Sequence, residues 1–372
     1  MPVGRHYQPE PRHHGLGPAF FSVVEPARFA LNGGAGILRW RNQPCAERLG
    51  LGELTDEEWL RHFVRFEPLP DNLASPLALA YHGHQFGIYN PAIGDGRGFL
   101  YAQLRDTDGR LIDLGTKGSG RTPYSRDGDG RLTLKGAVRE VLAAEMLAAL
   151  GVPTSACLSV VETGESLQRG DEPSPTRSAV LVRAQWSHIR FGTFQRLAAR
   201  SDGASLQALC DYVIAVYHPD LLAVAAAARV AALYRRVAQR SAELCGAWMA
   251  AGFVHGVLNT DNLNVTGESF DYGPYRFVPT YDLAFVAAYF DHQGRYAYGR
   301  QQEAVLWALM RLGEALAPLV PFDELRPGLV DFEARCLRAW HVGVLRRLGL
   351  ASRGVVDDSI LVSRAMCFLV AM

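Results

Sequence analysis

HGVLNTDN, residues 255–262, is followed by FDYGP at 270–274. Asp261 stands directly beside Asn262, and a second carboxylate, Asp271, comes nine residues after that asparagine. Carboxylate and amide oxygens are the donors that hard divalent cations take. An acid among them is placed to accept a proton. A long apolar stretch at helical spacing, DLLAVAAAARVAALYRRVAQRSAELCGAWMAAG (220–252), leads into the motif, and helical patterns return around 301–317 and 331–348. The motif therefore belongs to a helical part of the chain.

Phosphoryl-transfer chains of this plan place a catalytic aspartate five residues before a metal-binding asparagine. Asn262 fits the asparagine and Asp271 the DFG-like metal aspartate, but five residues before Asn262 lies Val257, which accepts no proton. An acid remains in the loop at a shifted position, Asp261. Such a shift suggests a different attack. With the nucleotide reversed, the α-phosphate would face the incoming hydroxyl, AMP would be transferred and pyrophosphate would leave. The spacing alone shows only that the ordinary proton acceptor is absent.

Upstream, the chain is strand-rich from about 80 to 200. GFLYAQLRD and LIDLGTKG flank Asp108-Gly109, a hairpin signal. Before it comes IGDGRG (93–98), whose Gly94, Gly96 and Arg97 could line phosphate oxygens. A strand follows this turn, which disfavours a dinucleotide-binding fingerprint. Lys117 closes the second hairpin strand, and Glu140 lies on the next helix, TLKGAVREVLAAEMLAALG, stopped by Gly151. That order suits a strand lysine held by a helix carboxylate and aimed at phosphate. Between them, GSGRTPYSRDGDGR (118–131) is a donor-rich loop in which Asp129 and Gly130 are the candidate contacts. SACLSVVET and SAVLVRAQ read as strands around a polar loop at 165–177. Arg183, at a strand end, and Arg190, at the next helix start, could bind oxyanions. NLNVTG and FDYGP read as a short strand pair. Each feature has a plainer reading as a turn, a surface charge or a solvated loop.

The expected architecture is α+β and protein-kinase-like in two lobes. It has an N-terminal extension at 1–75, a strand-rich lobe at 76–202 and a helical lobe at 203–372. Net charge is zero, so nucleic acid is not expected as the main partner. The opening MPVGRHYQPEPRHHG has no apolar core of a signal peptide, and no run is long enough to cross a membrane. The six cysteines form no CxxC pair, which fits a reduced, cytoplasmic chain with inert thiols. The apolar ending SILVSRAMCFLVAM reads as a buried terminal helix or as a chain cut short.

YHGHQFGIYNPAIGDGRG, LGTKGSGRTPYSRDGDGR, AVREVLAAEML, VLVRAQWSHIRFGTFQR and HGVLNTDNLNVTGESFDYGP closely resemble the selenoprotein O (YdiU) family, from about residue 40 to the end. The resemblance implies a kinase-like protein adenylyltransferase that binds ATP in a flipped orientation. It would transfer AMP to Ser, Thr or Tyr hydroxyls of proteins with Mg²⁺ or Mn²⁺, with uridylyl transfer a further option. It implies nucleotide contacts at Gly94, Gly96, Arg97, Lys117, Asp129, Gly130, Arg183, Arg190 and Asp271. Glu140 would pair with Lys117, Asp261 would accept the proton, and Asn262 and Asp271 would bind the metal. Family members run on beyond the length of this chain. Some carry a regulatory cysteine after the DYG motif, where Ala287 stands here. A monomer is expected. The alternatives are a kinase-like phosphotransferase, which Val257 disfavours, and an inactive nucleotide-binding pseudokinase module. A metal hydrolase on His82 and His84 is more remote, because HGH lacks a carboxylate at hydrolase spacing.

Overall fold

A computed structural model describes residues 9–10, 16–29, 36–68 and 70–371. Most of the opening Pro-rich segment therefore lies outside the described residues. The chain divides into two compact units. Unit one comprises residues 1–83, 90–145 and 155–189; unit two comprises 84–89, 146–154 and 190–372.

Unit one is built on an eight-stranded sheet. Its strands are β1 (Phe21–Val23), β2 (Ile37–Arg41), β3 (Leu77–Leu79), β6 (Leu100–Arg105), β7 (Leu111–Lys117), β8 (Leu132–Thr133), β9 (Ala156–Leu167) and β10 (Thr176–Gln185). A separate small hairpin, β4 (Gly83–Gln85) and β5 (Ile88–Asn90), carries residues 84–89 of unit two. The sheet order is β1-β3-β6-β7-β10-β9-β2, with β8 also paired to β10. The hairpin expected around Gly109 is β6–β7, and Gly109 takes the positive φ of 76° that its turn requires. The expected polar loop at 165–177 is shorter than its composition suggested, because β9 runs to Leu167 and β10 starts at Thr176.

Near-continuous burial along β6, β7 and β10 explains their apolar runs, since both faces of these strands are covered. Tyr101, Leu104, Leu114, Leu158, Val180 and Val182 form the core with Trp59 and Phe63. The last two come from α2 (Asp56–Phe63), which follows the short α1 (Gln43–Arg48). The start of α2 is set by a capping box, in which Thr55 and Glu58 satisfy each other's backbone N–H groups. Helix α3 (Leu134–Ala149) follows β8 and carries Glu140.

Unit two is helical: α4 (Phe191–Ala199), α5 (Gly203–Tyr217), α6 (Arg229–Ala250), α7 (Gln301–Leu316), α8 (Phe322–Leu325), α9 (Phe332–Arg347) and α10 (Val355–Ala371). Helix α6 packs along α9. The mixed plan expected from the sequence is present: a strand-rich unit with one long helix, and a helical unit.

Three local expectations need correction. The alanine-rich start of the stretch expected to be helical over 220–252 does not join that helix. It forms two 3-10 turns with Ala225–Ala228 exposed, and α6 begins only at Arg229. Pro219 opens the first turn, and Arg229 donates to the carbonyls of Leu222 and Val224, satisfying groups a continuous helix would have paired. NLNVTG and FDYGP do not pair as strands. Instead β11 (Phe253–Val254) pairs with β12 (Arg276–Phe277), while Asn264 bridges Arg190 and Ser269 bridges Thr154. The Asn264 side chain accepts from the N–H groups of Thr266 and Glu268, which bends this segment into a turn. The terminal helix α10 forms but is not buried as a whole: Val362 and Asp358 are buried, whereas Val356 and Phe368 are exposed.

Candidate active site

In unit one, Lys117 ends β7 and its Nζ hydrogen-bonds Glu140 Oε1 on α3; both side chains are buried. A buried ammonium needs such a partner to remain charged. Arg183, also buried, lies on β10 opposite Gly115 of β7 and Cys157 of β9. His188 packs close to Gly115 and is held by the buried Asp113, which accepts from the His188 backbone N–H at 3.0 Å.

The turn carrying Gly94, Gly96 and Arg97 is tied to the 118–131 loop through its carbonyls. Thr122 Oγ1 donates to Asp95 O at 2.6 Å, Ser125 Oγ to Gly96 O at 2.5 Å, and Gly118 N to Arg97 O at 2.6 Å. A Cβ on Gly94 would sit 2.5 Å from the Tyr124 ring. Within the loop, Gly130 has φ +72°, and a Cβ there would lie 2.2 Å from the backbone carbon of Gly120. Asp129 forms an ion pair with Arg169 at 2.8 Å and accepts from Arg131 N at 2.9 Å. Partial burial pushes its carboxyl up, but the bonds from Arg169 and Arg131 outweigh that and hold it below its ordinary value. These contacts give the loop a defined shape of its own.

In unit two, Thr260–Asn262 form a single 3-10 turn after β11. Asn262 Nδ2 donates to the carbonyl of Val257 at 2.9 Å, which leaves its side-chain oxygen as the end directed away from the loop backbone. Val257, at the position of the missing acid, thus serves the asparagine through its main chain. Asp261 is buried, and its Oδ1 has no hydrogen-bond partner. Burial pushes the Asp261 carboxyl up to about 6; Arg190 opposes this shift and Asp271 adds to it.

Arg190 caps the start of α4. Its Nη1 donates to the carbonyl of Asp261 at 2.8 Å and lies 3.6 Å from Asp271 Oδ2, with its guanidinium 4.8 Å from the Phe270 ring centroid. The structure therefore brings Arg190, Asp261, Asn262 and Asp271 into one cluster. Asp271 adopts φ +64°, a left-handed conformation that is rare for a residue with a side chain. Its neighbours hold it there. The buried His255 donates from Nε2 to Phe270 O at 3.0 Å, Trp248 Nε1 donates to Ser269 Oγ at 2.9 Å, and Thr154 Oγ1 bonds the Tyr272 hydroxyl. Sequence reasoning missed these supports. His255 stood in the motif, but its partner is a backbone carbonyl that no pattern reveals.

The Asp271 carboxylate and the Asn262 amide oxygen are hard donors of the kind a divalent cation takes, while the unpaired buried oxygen of Asp261 is left to accept a proton. The residues fit Mg²⁺ or Mn²⁺, which keep several waters and need few protein ligands. Among the described residues there is no cluster of three His, Cys, Asp or Glu side chains, so an all-protein cage is absent there. His84 donates its N–H to Thr260 and its ring accepts from Gln195, so it serves this loop. The six cysteines carry free thiols. No described helix is long and apolar enough to cross a membrane.

Comparison with known proteins gives a consistent result. The family described as "Protein adenylyltransferase SelO" matches residues 5–372. A "Protein nucleotidyltransferase YdiU" of Synechocystis sp. is 51% identical over 347 residues, covering 92% of this chain and 71% of that one. Proteins of the same description from Trichormus variabilis and Gloeobacter violaceus are each 49% identical; each match covers 97% of this chain and 73% of the relative. Among solved structures, ROP2 of Toxoplasma gondii, titled a virulence factor with a protein-kinase fold and no enzymatic activity, aligns at 11% identity. Its TM-score is 0.33 over 74% of this chain and 81% of that one, too low to build on.

Proposed function

The chain belongs to the SelO protein adenylyltransferase family, and from that premise we propose that it transfers AMP from ATP to Ser, Thr or Tyr hydroxyls of proteins. It is a nucleotidyltransferase. The observation that carries it is the pairing of Val257, where a kinase acid would stand, with the buried Asp261, whose Oδ1 has no partner. Asp261 takes the proton of the acceptor hydroxyl, and the hydroxyl oxygen bonds to the α-phosphorus of ATP. The bond from that phosphorus to the bridging oxygen breaks, and pyrophosphate leaves with its electron pair. A carboxyl titrating near 6 is largely ionised at neutral pH yet basic enough to accept a proton in the transition state.

Lys117, held by Glu140, and Arg183 and Arg190 are assigned to phosphate charge. Gly94, Gly96, Arg97, Asp129 and Gly130 are assigned to the rest of the nucleotide. Asn262 and Asp271 would hold Mg²⁺ or Mn²⁺, which when bound offsets phosphate charge. Arg190 has a second part in unit two, since it fixes the Asp261 main chain and stands beside the Asp271 carboxylate.

The test uses ATP labelled separately at the α- and γ-phosphates, with Mg²⁺ or Mn²⁺, casein as acceptor and Asp271→Ala as control. Label is expected on protein from the α position only, and not with the control. Label from γ alone means a kinase despite Val257. Label from neither, with ATP still bound, means a binding module.

A further inference from the structure

HQF, residues 84–86, takes no direct part in that chemistry, yet each of its residues is bonded to the catalytic loop. His84 N donates to Thr260 Oγ1 at 2.7 Å. The Gln85 side chain hydrogen-bonds Asp261. Phe86 N donates to Asn259 Oδ1 at 3.0 Å. Three consecutive residues of one hairpin thus hold three consecutive residues of the loop, 259–261. The attachment is reinforced at both ends. Thr260 Oγ1 donates to Gln195 Oε1 at 2.6 Å, and Gln195 Nε2 donates to His84 Nδ1 at 2.8 Å. Tyr296 OH donates to the same Asn259 oxygen at 2.8 Å.

The hairpin carries strain where it makes these bonds. β4 and β5 are joined by Phe86 and Gly87 alone, with φ +51° and +84°. Positive φ at both turn positions is usually met by Asn, Asp or Gly, and a phenylalanine there is disfavoured. Phe86 is retained by its bond to Asn259 and by ring contacts with Tyr296 and Phe290 at 5.0 and 5.7 Å. A conformation held against its preference at a reacting loop calls for a functional reason. Asp261 supplies one. It is buried with Oδ1 unpartnered, so its direction depends on whatever grips the rest of the carboxylate.

We propose that Gln85 is a positioning residue: its amide holds the Asp261 carboxylate in the orientation that leaves Oδ1 for the substrate, and the strained 84–87 hairpin is the strap that keeps it there. This inference rests on Asp261 being the proton acceptor. Leucine at 85 removes the donor. Glutamate keeps the shape but replaces the donor with a second carboxylate. Neither change touches Lys117, Asn262 or Asp271.

The experiment measures kcat, KM for ATP and melting temperature for the full chain and four variants: Gln85→Leu, Gln85→Glu, Asp261→Asn and the Gln85→Leu/Asp261→Asn double. The assay is α-labelled ATP with casein. Both Gln85 variants are expected to lose kcat about 10–100-fold, as loss of an orienting partner does, with KM and melting temperature little changed. The double variant should be no slower than Asp261→Asn alone, because Gln85 acts through that carboxylate. Wild-type kcat in Gln85→Glu overturns the proposal, and so does an additive loss in the double variant. If Asp261→Asn keeps its activity while Gln85→Leu loses it, the proton-acceptor assignment falls and this inference falls with it. If Asp261→Asn is inactive and both Gln85 variants are fully active, only the inference falls.

Discussion

Two loops carry most of the candidate chemistry, and they are shaped by opposite means. In unit one, the glycine turn and the 118–131 loop are set by steric closeness. Tyr124 occupies the space a Cβ on Gly94 would need, and the backbone of Gly120 occupies that of Gly130. In unit two, the 255–262 loop is set by polar side chains. Asn259, Thr260 and Asn262 each satisfy named partners, while one carboxylate oxygen is left over. A glycine-rich stretch is therefore an ambiguous sign of phosphate binding, since close packing within the protein demands the same residues. A buried, unpaired carboxylate oxygen is more direct evidence, because burial without a partner costs stability and calls for a reason.

The sharpest break of this comparison is Asp261→Asn. Transfer should fall by about 10²–10⁴-fold, the range for loss of a general base. In the metal-free protein, stability should instead rise. The folded pKa of Asp261 lies near 6, above its ordinary 3.8, so the folded state holds the proton more tightly than the unfolded one. Stability then falls as pH rises between those values, and the neutral amide removes a penalty of up to about 3 kcal/mol at pH 7. Denaturant melts without metal check the sign; a destabilised variant would mean that the carboxylate is structural.

Gly130→Ala should show the reverse pattern, with the fold failing before the chemistry. A left-handed φ and a Cβ overlapping Gly120 together should cost about 3 kcal/mol in urea unfolding. A variant as stable as wild type would leave phosphate approach, rather than packing, as the reason for the glycine.

A milder test falls on both units alike. His62 in unit one and His218 in unit two are buried, and burial lowers each pKa to about 4. A depressed histidine pKa means that the unfolded state binds the proton first. Stability is full above pH 6.5 and declines as pH falls toward 4, by up to about 3 kcal/mol for each group. His62→Gln should flatten that decline by its own share, read as melting temperature against pH. An unchanged slope would show that His62 takes up its proton alike in the folded and unfolded states.

Much of this was visible in the chain itself. The β6–β7 hairpin, α3, the Lys117–Glu140 order and the Asp261-Asn262…Asp271 spacing rest on local patterns, which residue order displays directly. The alanine run at 223–228 misled because helix propensity is a weak prior. Those residues found no face to bury, and the Arg229 side chain took up carbonyls of the preceding turn. NLNVTG misled because the polar side chain of Asn264 outcompeted strand pairing.

What the sequence alone determined was the inventory: which acids, amides, cations and glycines exist, in what order, and on which elements. Tertiary structure decided how those groups are held. The bonds from the HQF hairpin to the 255–262 loop join residues 173 and 176 positions apart. Arg190 reaches a carbonyl 71 residues away. Periodicity and spacing describe neighbours along the chain. The orientation of a buried carboxylate depends on hydrogen bonds whose partners become neighbours only when the chain has folded.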